Sequence, residues 1–272
     1  MTSNTILTYP IGPSSKVKAF STTRIPPHSI SSEEERRMGA YAAFNVTDYC
    51  EDDPQRVASN RLWLAGELGI EGERLVMPRQ THSDRIEEIT AETMQLSVAQ
   101  RRDLLDGVDA LITRETGLCI GVSTADCVPV LLFDPQNEAV AAIHAGWRGT
   151  VGGIAAEAVA KMQSLGAVSD SICAAVGAHI GVCCYEVGES FIEEVKSIRG
   201  EDFVRRHVDF TSYEEPHANL SSMNREFLMS AGVREENIDF SPDCTCCNTE
   251  IYFSHRGMHG KRGTMGAGIM IK

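Results

Sequence analysis

The stretch from Thr124 to Thr150, TADCVPVLLFDPQNEAVAAIHAGWRGT, constrains the fold more than any other part of the chain. It holds two apolar runs, Val128 to Phe133 and Ala139 to Ile143, separated by a polar segment that contains Asp134-Pro135. Two short apolar runs around a turn-forming segment are typical of paired strands. The stretch therefore predicts a β-hairpin.

Reactive residues lie at both ends of this predicted hairpin. Cys127 directly precedes the first strand, and His144 directly follows the second. An antiparallel hairpin brings these two ends together, so the thiol and the imidazole are expected to be neighbours. Either residue alone is more often an ordinary core residue. Asp126 and Arg148 add charge at the same turn, where core packing has no use for it, and the combination predicts a catalytic site.

Arg148 lies in a segment that is expected to begin a helix. Gly146 and Gly149 favour a tight turn, and Thr150 is expected to cap a helix that runs through Ile154. A helix N-terminus beside an arginine suits an anion. The alternative for this arginine is a structural ion pair with Asp126 or Asp109.

His82 is the natural third partner of Cys127 and His144, because it too follows a predicted strand, Leu75 to Met77. Two imidazoles and a thiolate with an open fourth position make a catalytic zinc site. We therefore predict that His82, Cys127 and His144 bind Zn²⁺. The same donors also suit copper, and the thiol and imidazole without metal suit a cysteine hydrolase.

Two other groups of metal-binding or polar residues have more than one interpretation. Cys244, Cys246 and Cys247 together with His255 and His259 are a candidate second, structural zinc site, although their spacing fits no familiar ribbon or finger.

The glycine-rich loop from residue 177 to residue 187 carries His179 and the vicinal pair Cys183-Cys184. A strained disulfide within the vicinal pair is disfavoured, so Cys184 is expected to line a substrate pocket or to pack. His179 is expected either to face that pocket or to be an ordinary surface histidine.

Composition limits the class of protein. With 25 basic and 38 acidic side chains, the net charge is 25 − 38 = −13, which disfavours nucleic-acid polymers as partners. No apolar run approaches the roughly 18 residues of a spanning helix, and the first residues lack a signal-peptide pattern. We expect a cytoplasmic protein without a membrane partner, its nine cysteines reduced, and leave the number of subunits open.

The remaining periodicity predicts one α+β domain over residues 1–272 with mixed sheets, because strands and helices alternate without a regular βαβ rhythm. A helix is expected between Asp53-Pro54 and Gly69, with Val57, Leu62, Leu64 and Leu68 on its apolar side. Short strands are expected at Ile172 to Val176 and at Ile251 to Ser254.

Several motifs together resemble the laccase-domain, or purine nucleoside phosphorylase, family formerly described as polyphenol oxidases. They are Gln80-Thr81-His82, Asp109-Ala110-Leu111-Ile112-Thr113, Ala125-Asp126-Cys127-Val128-Pro129-Val130, His144-Ala145-Gly146-Trp147-Arg148-Gly149 and the loop 177–187. The resemblance implies an α-β-β-α layered sandwich like the catalytic domain of the cytotoxic necrotizing factor. It also implies metal ligands at His82, Cys127 and His144.

The resemblance extends to the N-terminal pocket, where Phe20-Ser21-Thr22-Thr23-Arg24 and Asn45 are similar to the family motif. It implies that Arg24, Asn45 and Gln80 contact substrate. The chain departs from the family after Arg24, where Ile25-Pro26-Pro27-His28 replaces a Gly-Gly-Val-Ser segment. Substrate preference is therefore expected to differ.

The function that the resemblance implies is phosphorolysis of adenosine, inosine and methylthioadenosine, together with deamination of adenosine. The expected partners are thus a purine nucleoside and phosphate. The alternatives are a copper-dependent polyphenol oxidase and a metal-free hydrolase or amidase that acts on cell-wall precursors. With eight histidines and no His-x-His pair, a multi-copper cluster is hard to assemble.

Overall fold

The computed structural model describes residues 5–272, and its strands, in chain order, are short and mostly buried. They are β1 (Ile6–Tyr9), β2 (Val17–Thr22), β3 (Leu75–Val76), β4 (Ile86–Ile89), β5 (Ala110–Thr113), β6 (Cys119–Thr124), β7 (Val128–Asp134), β8 (Ala139–Ala145), β9 (Cys173–Val176), β10 (Val208–Asp209), β11 (His217–Ala218), β12 (Ile238–Phe240) and β13 (Met265–Ile271).

The helices follow the same chain order. They are α1 (Ser32–Met38), α2 (Pro54–Leu68), α3 (Ala91–Gln95), α4 (Val98–Leu105), α5 (Trp147–Gly152), α6 (Ile154–Ser164), α7 (Glu189–Arg199), α8 (Glu201–His207) and α9 (Leu220–Ser230). Within residues 5–272, none of them has the length and apolar character needed to cross a bilayer.

Two large sheets form the centre of the molecule. The first has the strand order β1-β2-β13-β6-β3, and the second has the order β12-β9-β7-β8-β5-β4. Both are mixed, since β3 pairs in parallel with β6, β12 with β9 and β4 with β5, whereas the remaining neighbours are antiparallel. The predicted hairpin is confirmed as β7 and β8.

Side chains that alternate along the strands build the layers. On β2, Ala19 packs between the two sheets, whereas its neighbour Phe20 packs against α2 on the other face. The second sheet carries a separate apolar cluster on its outer face, where it packs against helices α5 to α9. The layers therefore run α2, five-stranded sheet, six-stranded sheet and helices α5–α9. The mixed α/β class is confirmed, and the likeness to the cytotoxic necrotizing factor stays a prediction.

Helix α2 confirms the predicted capping pattern. The carboxylate of Asp53 accepts a hydrogen bond from the backbone N–H of Gln55, and Gly69 ends the helix with a φ of +75°. The predicted apolar side is wrong at Leu62, whose side chain is 63% exposed. The apolar face predicted from helical spacing therefore included one residue that is not buried.

Thr150 does not cap a helix. Helix α5 begins directly after Gly146, and Gly153, with a φ of +90°, separates α5 from α6. The hydroxyl of Thr150 instead donates to the carbonyl of Ala145 at 3.2 Å. The expected strand at Ile251 to Ser254 is also wrong, because this segment forms turns and loop.

Candidate active site

His82, Cys127 and His144, the His-Cys-His group, converge as the sequence indicated. Their potential ligand atoms all lie within 4.8 Å of one another, and Cys127 Sγ lies 3.6 Å from His82 Nε2. The hairpin register pairs His144 with Pro129, which places its imidazole beside the start of β7. A thiolate and two imidazoles at this spacing are a donor set that suits a transition metal, so the group fits the implied ion.

Asp109, just before β5, holds two of the three donors in place. Its Oδ1 atom lies 2.6 Å from His144 Nδ1 and accepts the backbone N–H of His82 at 3.1 Å. The other carboxylate oxygen accepts the backbone N–H groups of Thr81 and Ser83. Because Nδ1 of His144 is occupied by this carboxylate, its Nε2 is left for a metal, an arrangement common among metal-binding histidines.

Electrostatics within the group favour the thiolate. Burial acts to raise the pKa of Cys127, but the neighbouring His144 and His82 lower it to about 6. Burial likewise acts to lower the pKa of His144, but Cys127 and Asp109 raise it to about 9. Without a metal the pair is therefore stabilised as thiolate and imidazolium, and the thiolate is the form that binds a metal or attacks an electrophile. A metal that binds His144 Nε2 displaces the proton from that atom.

Gly146 forms one wall of the group. A Cβ atom at this position would lie 2.6 Å from His82 Cδ2 and 3.5 Å from both Cys127 Sγ and His144 Cε1. No side chain fits there without displacing His82. The turn after β8 therefore needs glycine for space at the site.

Asp126, which directly precedes Cys127, is bound by two residues from later in the chain. One of its carboxylate oxygens accepts the hydroxyl of Thr245 at 2.7 Å, and the other accepts the backbone N–H of Arg256 at 2.7 Å. Its backbone has a φ of +94°, which a residue other than glycine adopts only when its surroundings hold it. These contacts suit a residue that positions its neighbour Cys127.

Arg148 lies in the first turn of α5 with its side chain 59% exposed. Its guanidinium stacks over the ring of Trp147 at 4.0 Å, and its Nε lies 3.5 Å from Glu194 Oε1. The alternative, a structural ion pair with Asp126 or Asp109, is wrong, because both carboxylates bind other groups. The contacts of this arginine with Glu194 and Trp147 thus lie at the surface.

The other expected substrate contacts are already engaged within the protein. The Gln80 side chain donates to the carbonyl of Ser123 at 2.8 Å and accepts its N–H at 2.7 Å. Arg24 donates to the carbonyl of Thr249 at 2.6 Å, and its guanidinium lies 5.2 Å from the ring centroid of Phe253.

Asn45 and His179 are buried. Asn45 is fully enclosed and accepts the N–H of Thr264 at 2.9 Å while it donates to the carbonyl of Thr47 at 2.8 Å. His179 bonds through Nδ1 to the carbonyl of Gly177 at 2.8 Å, and burial lowers its pKa. The surface interpretation of His179 is therefore wrong.

Cys184 lies in a cluster of thiols, where its Sγ lies 3.4 Å from that of Cys247.

A separate cleft of about 670 Å³ is lined by parts of α2, α4 and the segment 71–79 and contains none of the three candidate ligands. Tyr49 on its edge bonds to Ser123, which also holds Gln80. The cleft thus adjoins the segment that leads to His82.

Apart from their places in the family motifs, the sequence indicated Asp109 only as a possible partner of Arg148 and Gly146 only as part of a turn. The available signal for Asp109 was a carboxylate directly before an apolar strand, where it has no packing use. Gly146 carried no signal for its role, because that role depends on His82, 64 residues earlier in the chain.

The chain has clear relatives. The model of the family described as multi-copper polyphenol oxidoreductase laccase matches residues 28–272. Adenosine deaminase RL5, from an unknown prokaryotic organism, is 42% identical over 258 residues, which cover 94% of each chain. A purine nucleoside phosphorylase from Bacteroides thetaiotaomicron is 37% identical over 234 residues, or 86% of each chain.

The fold has solved counterparts as well. The crystal structure of YlmD from Geobacillus stearothermophilus superposes with a TM-score of 0.80 at 32% identity and covers 94% of this chain and 92% of that one. The hypothetical protein YfiH from Bacillus licheniformis gives a TM-score of 0.81 at 32% identity, covering 94% and 93%. The chain therefore belongs to the multi-copper polyphenol oxidoreductase laccase family.

Proposed function

We propose that this chain is a zinc-dependent purine nucleoside phosphorylase that acts on adenosine, inosine and methylthioadenosine and also deaminates adenosine. The observation that carries the proposal is the convergence of His82, Cys127 and His144 on one point, with Asp109 behind them. Relatives named adenosine deaminase and purine nucleoside phosphorylase support the substrate class.

The chain's own residues have distinct roles in this proposal. His82, Cys127 and His144 would hold the ion, which would supply Lewis-acid chemistry at the site. Asp109 fixes the ring of His144, and Asp126 positions Cys127. Arg148 provides a cation near the site for phosphate, once its weak surface pairing with Glu194 is exchanged for the anion.

Both reactions are simple exchanges. In phosphorolysis the bond between purine nitrogen and ribose C1′ breaks, a bond from C1′ to a phosphate oxygen forms, and the purine leaves with one proton. In deamination water replaces the amino group of adenosine, and ammonia leaves. Because neither reaction transfers electrons, a redox-inactive ion is sufficient for both.

A metal-free cysteine hydrolase or amidase is the second candidate, and a specific contact favours it. Asp109 bonds to His144, and His144 neighbours Cys127, the order of base and nucleophile in cysteine hydrolases. A copper oxidase ranks third. Within residues 5–272 only one group combines histidine with cysteine, which suits a single ion better than a multi-copper cluster.

A reducing compartment fits the chain, since all nine cysteines are free. A cytoplasmic location is therefore part of the proposal.

Product analysis tests the proposed function. Purified zinc-loaded protein is incubated with inosine or adenosine, with and without phosphate. We expect free base and ribose 1-phosphate only when phosphate is present, and inosine from adenosine in either case. Free ribose would indicate a hydrolase, and oxygen consumption with a phenol would indicate an oxidase. Either result in place of ribose 1-phosphate contradicts the proposal.

Cys127→Ser and Cys173→Ser form a matched pair for this experiment. Both cysteines are half-buried and lie at the start of neighbouring strands, but only Cys127 belongs to the His-Cys-His group. A hydroxyl is a poorer zinc ligand and a weaker nucleophile, so Cys127→Ser should lose activity, whereas Cys173→Ser should retain it.

A further inference from the structure

Four cysteines form a second cluster, which we call the four-thiol group. It contains Cys183, Cys184, Cys244 and Cys247, whose Sγ atoms all lie within 4.8 Å of one another. The Sγ of Cys247 lies 3.6 Å from that of Cys183 and 3.4 Å from that of Cys184. The cluster lies outside the His-Cys-His group and takes no part in the proposed function.

The backbone builds this cluster. Strands β9 and β12 pair in parallel, with Val176 opposite Phe240, so the loops that follow them leave the same edge of the sheet. The two loops then pair again, since His179 forms a bridge with Cys244 and accepts the N–H of Thr245 at 3.0 Å. Each loop delivers two cysteines to one place.

Packing explains only two of these thiols, since Cys244 and Cys184 contact the apolar cluster under helices α5–α9. Cys183 and Cys247 are exposed, although free cysteine is among the most buried residue types. The sulfur atoms are also too far apart for a disulfide, which needs about 2.05 Å. Cys247 is nearly equidistant from two partners, which suits shared coordination and not one covalent bond.

The spacing matches metal coordination. Four thiolates around zinc, each at about 2.3 Å from the ion, lie about 3.8 Å from one another. The loop around Gly181 is shaped for such a site, because its backbone N–H donates to Cys244 Sγ at 3.2 Å. A Cβ atom on Gly181 would come within 3.1 Å of Cys183 Sγ.

We propose that the four-thiol group binds a structural zinc ion with four cysteine ligands. The site is closed, because all four tetrahedral positions are taken by protein sulfur. It differs from the arrangement expected from the sequence, since Cys183 and Cys184 replace Cys246, His255 and His259 as donors.

The ion would tie together the two loops that hold Asp126. The backbone N–H of Ile180 donates to the carbonyl of Asp126 at 2.9 Å, and the hydroxyl of Thr245 donates to its carboxylate. Asp126 directly precedes Cys127. A bound zinc therefore stabilises the support of the candidate active site without touching substrate.

Metal analysis of the full chain, isolated under reducing conditions, tests this proposal without any activity assay. We expect about two zinc ions per chain in the wild type and about one in a His82→Ala/Cys127→Ser double variant, which keeps only the four-thiol group. Cys183→Ser/Cys247→Ser should also fall to about one. After cobalt substitution, the first variant should show a much stronger thiolate-to-cobalt band than the second, because the second keeps only the Cys127 thiolate of the His-Cys-His group.

Cys173→Ser is the control and should bind as much metal as the wild type. Thiol labelling of the wild type adds a measurement that needs no variant, since Cys183 and Cys247 should react with an alkylating reagent only after a chelator is added. The proposal is overturned if Cys183→Ser/Cys247→Ser keeps the wild-type metal content, if both thiols react equally with and without chelator, or if they are found in a disulfide.

Discussion

Asp109 Oδ1 and His144 Nδ1 lie 2.6 Å apart, and both side chains are almost completely buried. The same carboxylate accepts three backbone N–H groups from the segment that carries His82. One buried carboxylate therefore sets both the ring orientation of His144 and the backbone of His82. The site depends on Asp109 as much as on its ligands.

Asp109→Asn should weaken metal binding by about 10- to 100-fold, the usual effect of losing a carboxylate behind a metal-binding histidine. The reason is that an amide presents one acceptor oxygen where the carboxylate presents two. Metal affinity is measured by competition with a coloured chelator. Asp106→Asn is the control, since Asp106 is exposed and pairs with Arg79 on the surface. Equal affinities for both variants would contradict this role of Asp109.

Gly146→Ala should damage the site and leave the fold intact. Its new methyl group would lie 2.6 Å from His82 Cδ2, so the imidazole must move, and we expect metal affinity to fall by about tenfold or more. Gly152→Ala is the control, because Gly152 lies in helix α5, which directly follows Gly146, and a Cβ there meets nothing within 4 Å. It should keep full metal affinity. A similar loss in both variants would mean that helix α5, not the methyl group, is responsible.

Arg148→Ala should lower kcat/KM for phosphorolysis through a raised KM for phosphate. Its pairing with Glu194 and its stacking on Trp147 are exposed contacts, so the free energy of unfolding should change by no more than about 1 to 2 kcal/mol. Glu194→Gln removes the pairing but keeps the cation, and it should retain activity. Unchanged phosphate kinetics in Arg148→Ala, together with a large loss of stability, would make the arginine structural.

Asn45→Ala should act mainly on stability. The substitution leaves the buried N–H groups of Thr47 and Thr264 without their acceptor, which costs about 2 to 5 kcal/mol in total. Denaturant unfolding measures the loss. Asn237→Ala, which removes one surface bond to Asp170, should cost about 1 kcal/mol or less. A stable Asn45→Ala protein with only a raised KM would instead support the substrate contact that the family resemblance implies.

The sequence predicted what local patterns determine. The hairpin β7–β8 follows from two apolar runs around a turn, and the meeting of Cys127 with His144 follows from antiparallel pairing. Helix α2 was marked by its capping residues at both ends. These features depend on neighbours in the chain, so they are accessible without a structure.

The remaining features depend on contacts between distant segments. Leu62 has helical spacing that suits burial, but it stays 63% exposed although the segment at Gly72 approaches its side chain. The parallel pairing of β9 with β12 brings Cys183 beside Cys247. The two strands lie more than 60 residues apart in the chain, so no residue spacing in the sequence predicts that they pair. Gly146 is needed for space only because His82 packs against it.

Removing the metal from the wild-type enzyme and restoring it tests whether the reaction needs zinc at the His-Cys-His group. The rate of phosphate-dependent base release from inosine is measured before chelator treatment, after it, and after addition of Zn²⁺. We expect the activity to disappear with the metal and to return with zinc, because His82, Cys127 and His144 would hold the ion that the reaction needs. Activity that persists unchanged after complete removal of metal would contradict this expectation and would favour a thiol mechanism at Cys127.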